Sequence, residues 1–218
     1  QNLTLNYQLK LDITKLNEVA LLQLRKNSSA SVVEEQIAAA TIEQYSNQTL
    51  GDALKEVAGV SILKTGSTIV KPVINGLHSS RIPIINNNVR LEDQQWGTEH
   101  APNFDVNAAG KITVIKGASA LQYGGDAIGG LVLIESEAVK KDTLFGKTIA
   151  NFASNGRGGS ISSSVHKGNR LGWSWNMIGT LKYLGDRETP DYILSNTGNR
   201  EQNFSGSTQY NTENYSIG

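Results

Sequence analysis

The stretch Leu171-Gly172-Trp173-Ser174-Trp175-Asn176-Met177-Ile178-Gly179-Thr180-Leu181-Lys182-Tyr183-Leu184 decides the fold. Leu171, Trp173, Trp175, Met177, Gly179, Leu181 and Tyr183 recur at period two. Gly172, Ser174, Asn176, Thr180 and Lys182 lie on the other face, with Ile178 and Leu184 as exceptions. Successive side chains of a strand point to opposite faces, so this segment has one large apolar face and one mostly polar face. A transmembrane barrel wall presents that pattern, with lipid outside and a wet lumen inside. Strands of a soluble sandwich alternate too, but about 5–6 residues is their usual length. Length and terminal aromatics favour the barrel.

The flanks repeat the pattern more weakly. Ile161 and Val165 alternate with Ser160, Ser162, Ser164 and His166, and Phe204, Gly206, Thr208 and Tyr210 alternate with Asn203, Ser205, Ser207 and Gln209. Short turns (Gly168-Asn169, and Asn211 to Asn214) and one longer polar loop, Gly185–Asn199, connect these runs. No window approaches the ~18 consecutive apolar residues of a membrane helix. The 218 residues carry 20 basic and 20 acidic side chains, so nothing points to nucleic acid. Cysteine is absent, which excludes disulfides, thiolate metal sites and cysteine nucleophiles. The chain opens at Gln1 without a signal-peptide pattern, so any such peptide is expected to have been removed.

Upstream, the texture is that of a mixed α+β domain of short elements. A short helix is expected around Val32–Ala40. Leu50, Ala53, Leu54 and Val57 fall at helical spacing, with Thr49 as N-cap and Gly59 as stop. Strand-like runs follow at Thr68–Ile74, Arg81–Ile85 and Val89–Leu91, the last two joined by Asn86-Asn87-Asn88, since Asn tolerates positive φ. Asp105 can cap a turn through Ala109. Lys111–Ile115 and Leu131–Ile134 are further strands.

These residues carry a resemblance. Gly51-Asp52-Ala53-Leu54-Lys55-Glu56-Val57-Ala58-Gly59-Val60 resembles the "L-x-x-x-P/A-G-V" helix that opens the plug of TonB-dependent outer-membrane receptors, and Ile74-Asn75-Gly76 resembles the "I-R-G" that follows. Ile112-Thr113-Val114-Ile115-Lys116-Gly117-Ala118-Ser119-Ala120-Leu121-Gln122-Tyr123-Gly124-Gly125-Asp126-Ala127-Ile128-Gly129-Gly130 is similar to the family's "V-x-V-I-R-G-P-x-S-x-L-Y-G-x-x-A-x-G-G" block. A phosphate-binding loop would need a terminal Gly-Lys-Ser/Thr that is missing here. The resemblance implies an α+β plug domain followed by antiparallel strands of an incomplete transmembrane β-barrel. The expected divisions are an extended lead-in at 1–24, the plug at 25–136, a hinge at 137–145, and the first ~4–5 strands of the barrel at 146–218. Family barrels have ~22 strands, so the chain is expected to be a fragment, a partial chain, or a plug-like subunit of another assembly. Asn75 and Lys116 stand where the family carries arginines that commonly join plug to barrel. That puts ion-pair anchoring in doubt at Asn75 and softens it at Lys116.

The family's coupling segment is implied at Leu16-Asn17-Glu18-Val19-Ala20-Leu21-Leu22, which resembles the Bacteroidetes-type lead-in "L-x-E-V-V-V". Strand addition would let the TonB–ExbB–ExbD energy-coupling system grip it. An ordinary strand ending an upstream domain reads the same way, and residues 1–15 suit the last strand of a small β-domain. For cargo, the pair Glu99-His100 resembles the zinc-type receptors, and His78 sits in a stretch shared with them. Carboxylate and imidazole are apt ligands for Zn²⁺ or another divalent metal, with barrel residues completing the set. The bland alternative is a loop hydrogen bond, and haem, siderophores, cobalamin, peptides and glycans stay open as cargo.

No cofactor is required by this reading. No nucleophile–base–acid arrangement is discernible around His78, His100 or His166, so an enzyme is not expected. The expected partners are the coupling system, outer-membrane lipid and a nutrient ligand. A non-transporting stopper or structural subunit is the alternative, and a soluble periplasmic binding module a remote third.

Overall fold

The computed structural model describes residues 33–97, 99–211 and 216–217. The first part contains β1 (Val33–Ile37), β2 (Val60–Lys64), β3 (Val70–Ile74), β4 (Ile84–Asn86), β5 (Val89–Leu91), β6 (Lys111–Lys116) and β7 (Leu131–Glu135), with helices α1 (Ala39–Gln44) and α2 (Leu50–Leu54). One sheet runs in the order β1-β6-β7-β4-β5, with β4 and β7 parallel and the other pairs antiparallel, while β2 and β3 form a separate hairpin. Leu50, Leu54, Ile74, Ile82, Ile84, Ile112, Val114, Val132 and Ile134 fill one core between sheet and helices. Each large side chain so buried contributes about 1.5–3 kcal/mol.

Local chemistry sets these elements. Thr49 caps α2 as expected: its hydroxyl accepts from the Asp52 N–H, and the Asp52 carboxylate accepts from the Thr49 N–H, forming a capping box. Helical geometry ends at Leu54, and the chain turns out through Gly59 at φ +72°. Asn87 and Asn88 both take positive φ, 45° and 66°, in the turn joining β4 to β5. Asp105 caps a 3₁₀ turn, Val106–Ala108, by accepting from the Asn107 N–H.

The second part contains β8 (Thr143–Ala153), β9 (Gly158–Gly168), β10 (Trp173–Leu184), β11 (Arg187–Glu188), β12 (Ile193–Leu194), β13 (Asn199–Asn211) and β14 (Ser216–Ile217). Its main sheet is antiparallel throughout, in the order β14-β13-β10-β9-β8, and β11–β12 form a small hairpin within the long loop. The polar face is the buried one. Asn176 is 4% exposed and Thr180 2%, while Met177 is 63% exposed and Trp173 51%. Ser160, Ser162, Ser164, His166, Ser174 and Lys182 are also buried, and Leu181, Tyr183, Ile161, Val165 and Phe204 are exposed. A soluble sandwich would bury the apolar face, so this inverted arrangement is that of a barrel wall. From Trp173, paired with Tyr210 at 4.8 Å between ring centroids, to Tyr183 the strand rises about 33 Å at ~3.3 Å per residue. At a tilt of roughly 40° that spans about 25 Å, the height of a barrel's apolar band.

Polar contacts join the two parts. Lys147 on β8 pairs with Glu43 on α1 at 2.8 Å, and the Asn151 amide donates to the Ser46 hydroxyl at 2.8 Å. His166 stacks on Phe145, with ring centroids 4.5 Å apart, and approaches Glu137 at 3.8 Å.

Three expectations differ from the structure. Val33–Ile37, placed in a short helix, is an edge strand on β6, and the helix starts only at Ala39. Nonlocal pairing overrides the Ala-rich local preference there. β8 already begins at Thr143, inside the segment read as a hinge to residue 145. Lys116 serves the plug internally: its ammonium pairs with Glu35 at 2.7 Å and donates to the Ala58 carbonyl, tying β6 to β1 and to the end of α2.

Candidate functional site

The candidate cargo residues sit on two loops, one joining β3 to β4 and the other following β5. β3 is buried on both faces along Val70, Lys71 and Pro72, and Ile74 is fully enclosed. Asn75 (φ 52°) and Gly76 (φ 76°) then reverse the chain, with Ile74 and Leu77 exchanging backbone hydrogen bonds. Asn75 therefore works as a left-handed turn residue at the position where the family carries arginine. The exposed His78 follows, and its Nδ1 lies 3.0 Å from the Ser79 hydroxyl.

The second loop carries a 3₁₀ turn, Asp93–Gln95, then the exposed Trp96, Glu99 and His100. Gln94 is 2% exposed and anchors the loop from beneath, its amide donating to the Ile82 carbonyl at 2.6 Å. Gly97 lets the loop fold over itself. A Cβ there would meet Glu99 Oε2 at 3.2 Å and His100 Cδ2 at 3.6 Å, so both candidate side chains lie over this one glycine.

Lys71 joins the two loops, and the sequence reading passed over it. Only 2% exposed, its ammonium donates to Ser79 Oγ (3.3 Å), to the Gln94 carbonyl (3.4 Å) and to the Gly97 carbonyl. Burial pushes the Lys71 ammonium below its ordinary pKa, and the nearby Glu99 carboxylate pulls it back up. The available signal was a lone lysine inside the apolar run Val70–Ile74, since buried lysines are rare unless their donors are met.

The structure thus ties the loop that carries His78 to the loop that carries Glu99 and His100 through one buried lysine. Among the described residues no group of three or more His, Asp or Glu side chains stands in metal-holding geometry. The coupling segment Leu16-Asn17-Glu18-Val19-Ala20-Leu21-Leu22, and the β-domain strand expected over residues 1–15, lie outside the described residues. The described helices include none long and apolar enough to cross a membrane.

Comparison with known proteins agrees with this architecture. Residues 25–131 match the family described as "TonB-dependent Receptor Plug Domain". The vitamin B12 transporter BtuB of Vibrio cholerae serotype O1 is 27% identical over 116 residues, which cover 52% of this chain and 19% of that protein. Among solved structures, the copper transporter OprC superposes with TM-score 0.62 at 22% identity, covering 73% of this chain and 25% of that one. A variant of the ferric enterobactin receptor PfeA from Pseudomonas aeruginosa, bound to enterobactin, gives 0.64 at 18% identity, covering 82% and 30%. The siderophore receptor PirA from Acinetobacter baumannii gives 0.61 at 16% identity, covering 88% and 30%. The match spans about a fifth of the length of the curated relatives and under a third of these solved chains. All are named as transporters or receptors. Residues 25–131 match the plug domain of TonB-dependent receptors, and together with the antiparallel strands after them they share the fold of these solved transporter and receptor chains.

Proposed function

We propose that this chain is the plug and opening wall of a receptor that takes up a scarce nutrient, a metal ion or metal complex, by energy-coupled rearrangement of the plug. The observation that supports the reading is that Lys71 ties the loop carrying His78 to the loop carrying Glu99 and His100. A carboxylate and two imidazoles suit Zn²⁺, and Cu²⁺ or Ni²⁺ by affinity order. Glu99 shares its charge with Lys71, so ligands from the barrel complete any metal site. The names of similar proteins (copper, ferric enterobactin, vitamin B12) are compatible with metal-bearing cargo.

On this reading the lead-in at residues 16–22 is of the Bacteroidetes type, and TonB, driven by ExbB–ExbD, grips it by strand addition. The cargo loops are those of the zinc-type subgroup, and the apolar wall face meets outer-membrane lipid. Uptake of radiolabelled zinc by cells carrying the full receptor tests the cargo. His100→Ala lowers uptake at unchanged expression, and His78→Ala lowers it less. Wild-type uptake in a Glu99→Ala/His100→Ala double variant removes the metal reading and favours an organic ligand.

A further inference from the structure

We infer that Lys71 is the positioning residue of the cargo loops: it ties the loop that carries His78 to the loop that carries Glu99 and His100. This deepens the metal-uptake reading and rests on it for cargo, although the loop geometry can be tested without any cargo.

An ammonium has three donors and no acceptor. Lys71 meets three acceptors, Ser79 Oγ in the first loop and the Gln94 and Gly97 carbonyls in the second. Each acceptor leads to a candidate ligand or its support. Ser79 Oγ is 3.0 Å from His78 Nδ1. Gly97 lies beneath both Glu99 Oε2 and His100 Cδ2. Gln94 is itself pinned through its side chain to the Ile82 carbonyl at 2.6 Å, which fixes the near end of the second loop.

The charge belongs to the device. A charged ammonium gives charge-assisted hydrogen bonds, stronger than neutral ones; burial pushes the Lys71 pKa down, and Glu99 on the held loop opposes that shift in part. Lys71 lies under the loop and is buried, so its effect on binding runs through the residues it holds. Lys71→Met keeps the length and apolar stem but removes the donor shared by Ser79 Oγ and the Gln94 and Gly97 carbonyls, and the loops separate to rehydrate these part-buried and buried acceptors.

The test uses the intact receptor. Cysteines replacing the exposed Ser80 and Gln95, one on each loop, carry spin labels, since this chain has no native cysteine. The expected result is a narrow interlabel distance distribution in the wild-type background, loss of that narrow distribution in Lys71→Met, and a smaller broadening in Ser79→Ala, which frees only the first loop. Zinc ion alone is the binding probe, and its affinity falls in Lys71→Met with Glu99 and His100 intact. A Lys71→Met receptor with the wild-type distribution overturns the inference, as does a broadened distribution with undiminished zinc affinity. If Lys71→Met does not fold, Ser79→Ala decides: an unchanged distribution overturns the inference. A wild-type receptor that binds no zinc removes the metal reading, and the distance measurement then decides the role of Lys71 by itself.

Discussion

Gly125 and Gly130 lie five residues apart in one glycine-rich block, and alanine should have opposite effects at the two. At Gly130 the backbone sits at φ +142°, a region that residues with a Cβ rarely enter. An added methyl would stand 2.8 Å from the Ile115 carbonyl oxygen and 3.1 Å from Ile74 Cδ1. Both neighbours are core, Ile115 1% and Ile74 0% exposed, so neither can yield cheaply. Backbone strain costs about 1–3 kcal/mol. Overpacking adds about 1–3 kcal/mol. Gly130→Ala should therefore destabilise the plug by roughly 2–6 kcal/mol, a large part of a domain's usual stability of about 5–15 kcal/mol. A Cβ on Gly125 meets nothing within 4 Å, and its φ is not in the forbidden range. Gly125→Ala is then neutral, or stabilising by about 0.4–1 kcal/mol through the unfolded chain. Hydrogen exchange of β6 and β7 amides in the intact receptor reads both variants against wild type. Equal protection in Gly130→Ala and Gly125→Ala would refute the steric argument, because block membership and not local geometry would then govern.

Met177→Arg places a charge at mid-strand on the exposed wall face and should cost about 2–4 kcal/mol of folding into bilayers, against about 0–1 kcal/mol for Trp173→Arg near the end; equal costs by urea titration in vesicles would contradict the assigned depth. The Lys116 ammonium, as its hydrogen-bond partner, holds the Glu35 carboxyl below its ordinary value of 4.5. The clip between β1 and β6 is therefore complete above pH 4.5 and lost as pH falls through the lowered value. Glu35→Gln should abolish that acid-dependent part of β1 hydrogen-exchange protection, and an unchanged pH profile would contradict it.

The sequence was legible where local chemistry dictates structure. The Thr49 cap, the Asn87-Asn88 turn and the Asp105 cap each need only neighbours within three residues, and all three form as read. The wall was legible because period two is absolute: every residue of β10 assigned outward by alternation, from Trp173 to Tyr183, pairs in a register that keeps it on one face. What failed was nonlocal. β1 is a strand only because β6 lies beside it, and the partner is more than seventy residues away in sequence. Lys71 stood out only as a lone lysine in an apolar run, and its partners could not be read because they lie on loops 8, 23 and 26 residues downstream. Glu99, His100 and His78 were singled out by type and resemblance, whereas the tie that Lys71 makes between their two loops exists only in the folded chain.

The central claim is that the wall keeps its polar face toward the plug and its apolar face toward lipid. Single cysteines at Met177, Leu181 and Trp175, and at Asn176, Thr180 and Ser174, test it in the receptor embedded in a bilayer. A membrane-soluble thiol reagent should label the first three and spare the second three, which are 4%, 2% and 6% exposed. The reverse pattern would contradict the register and, with it, the barrel.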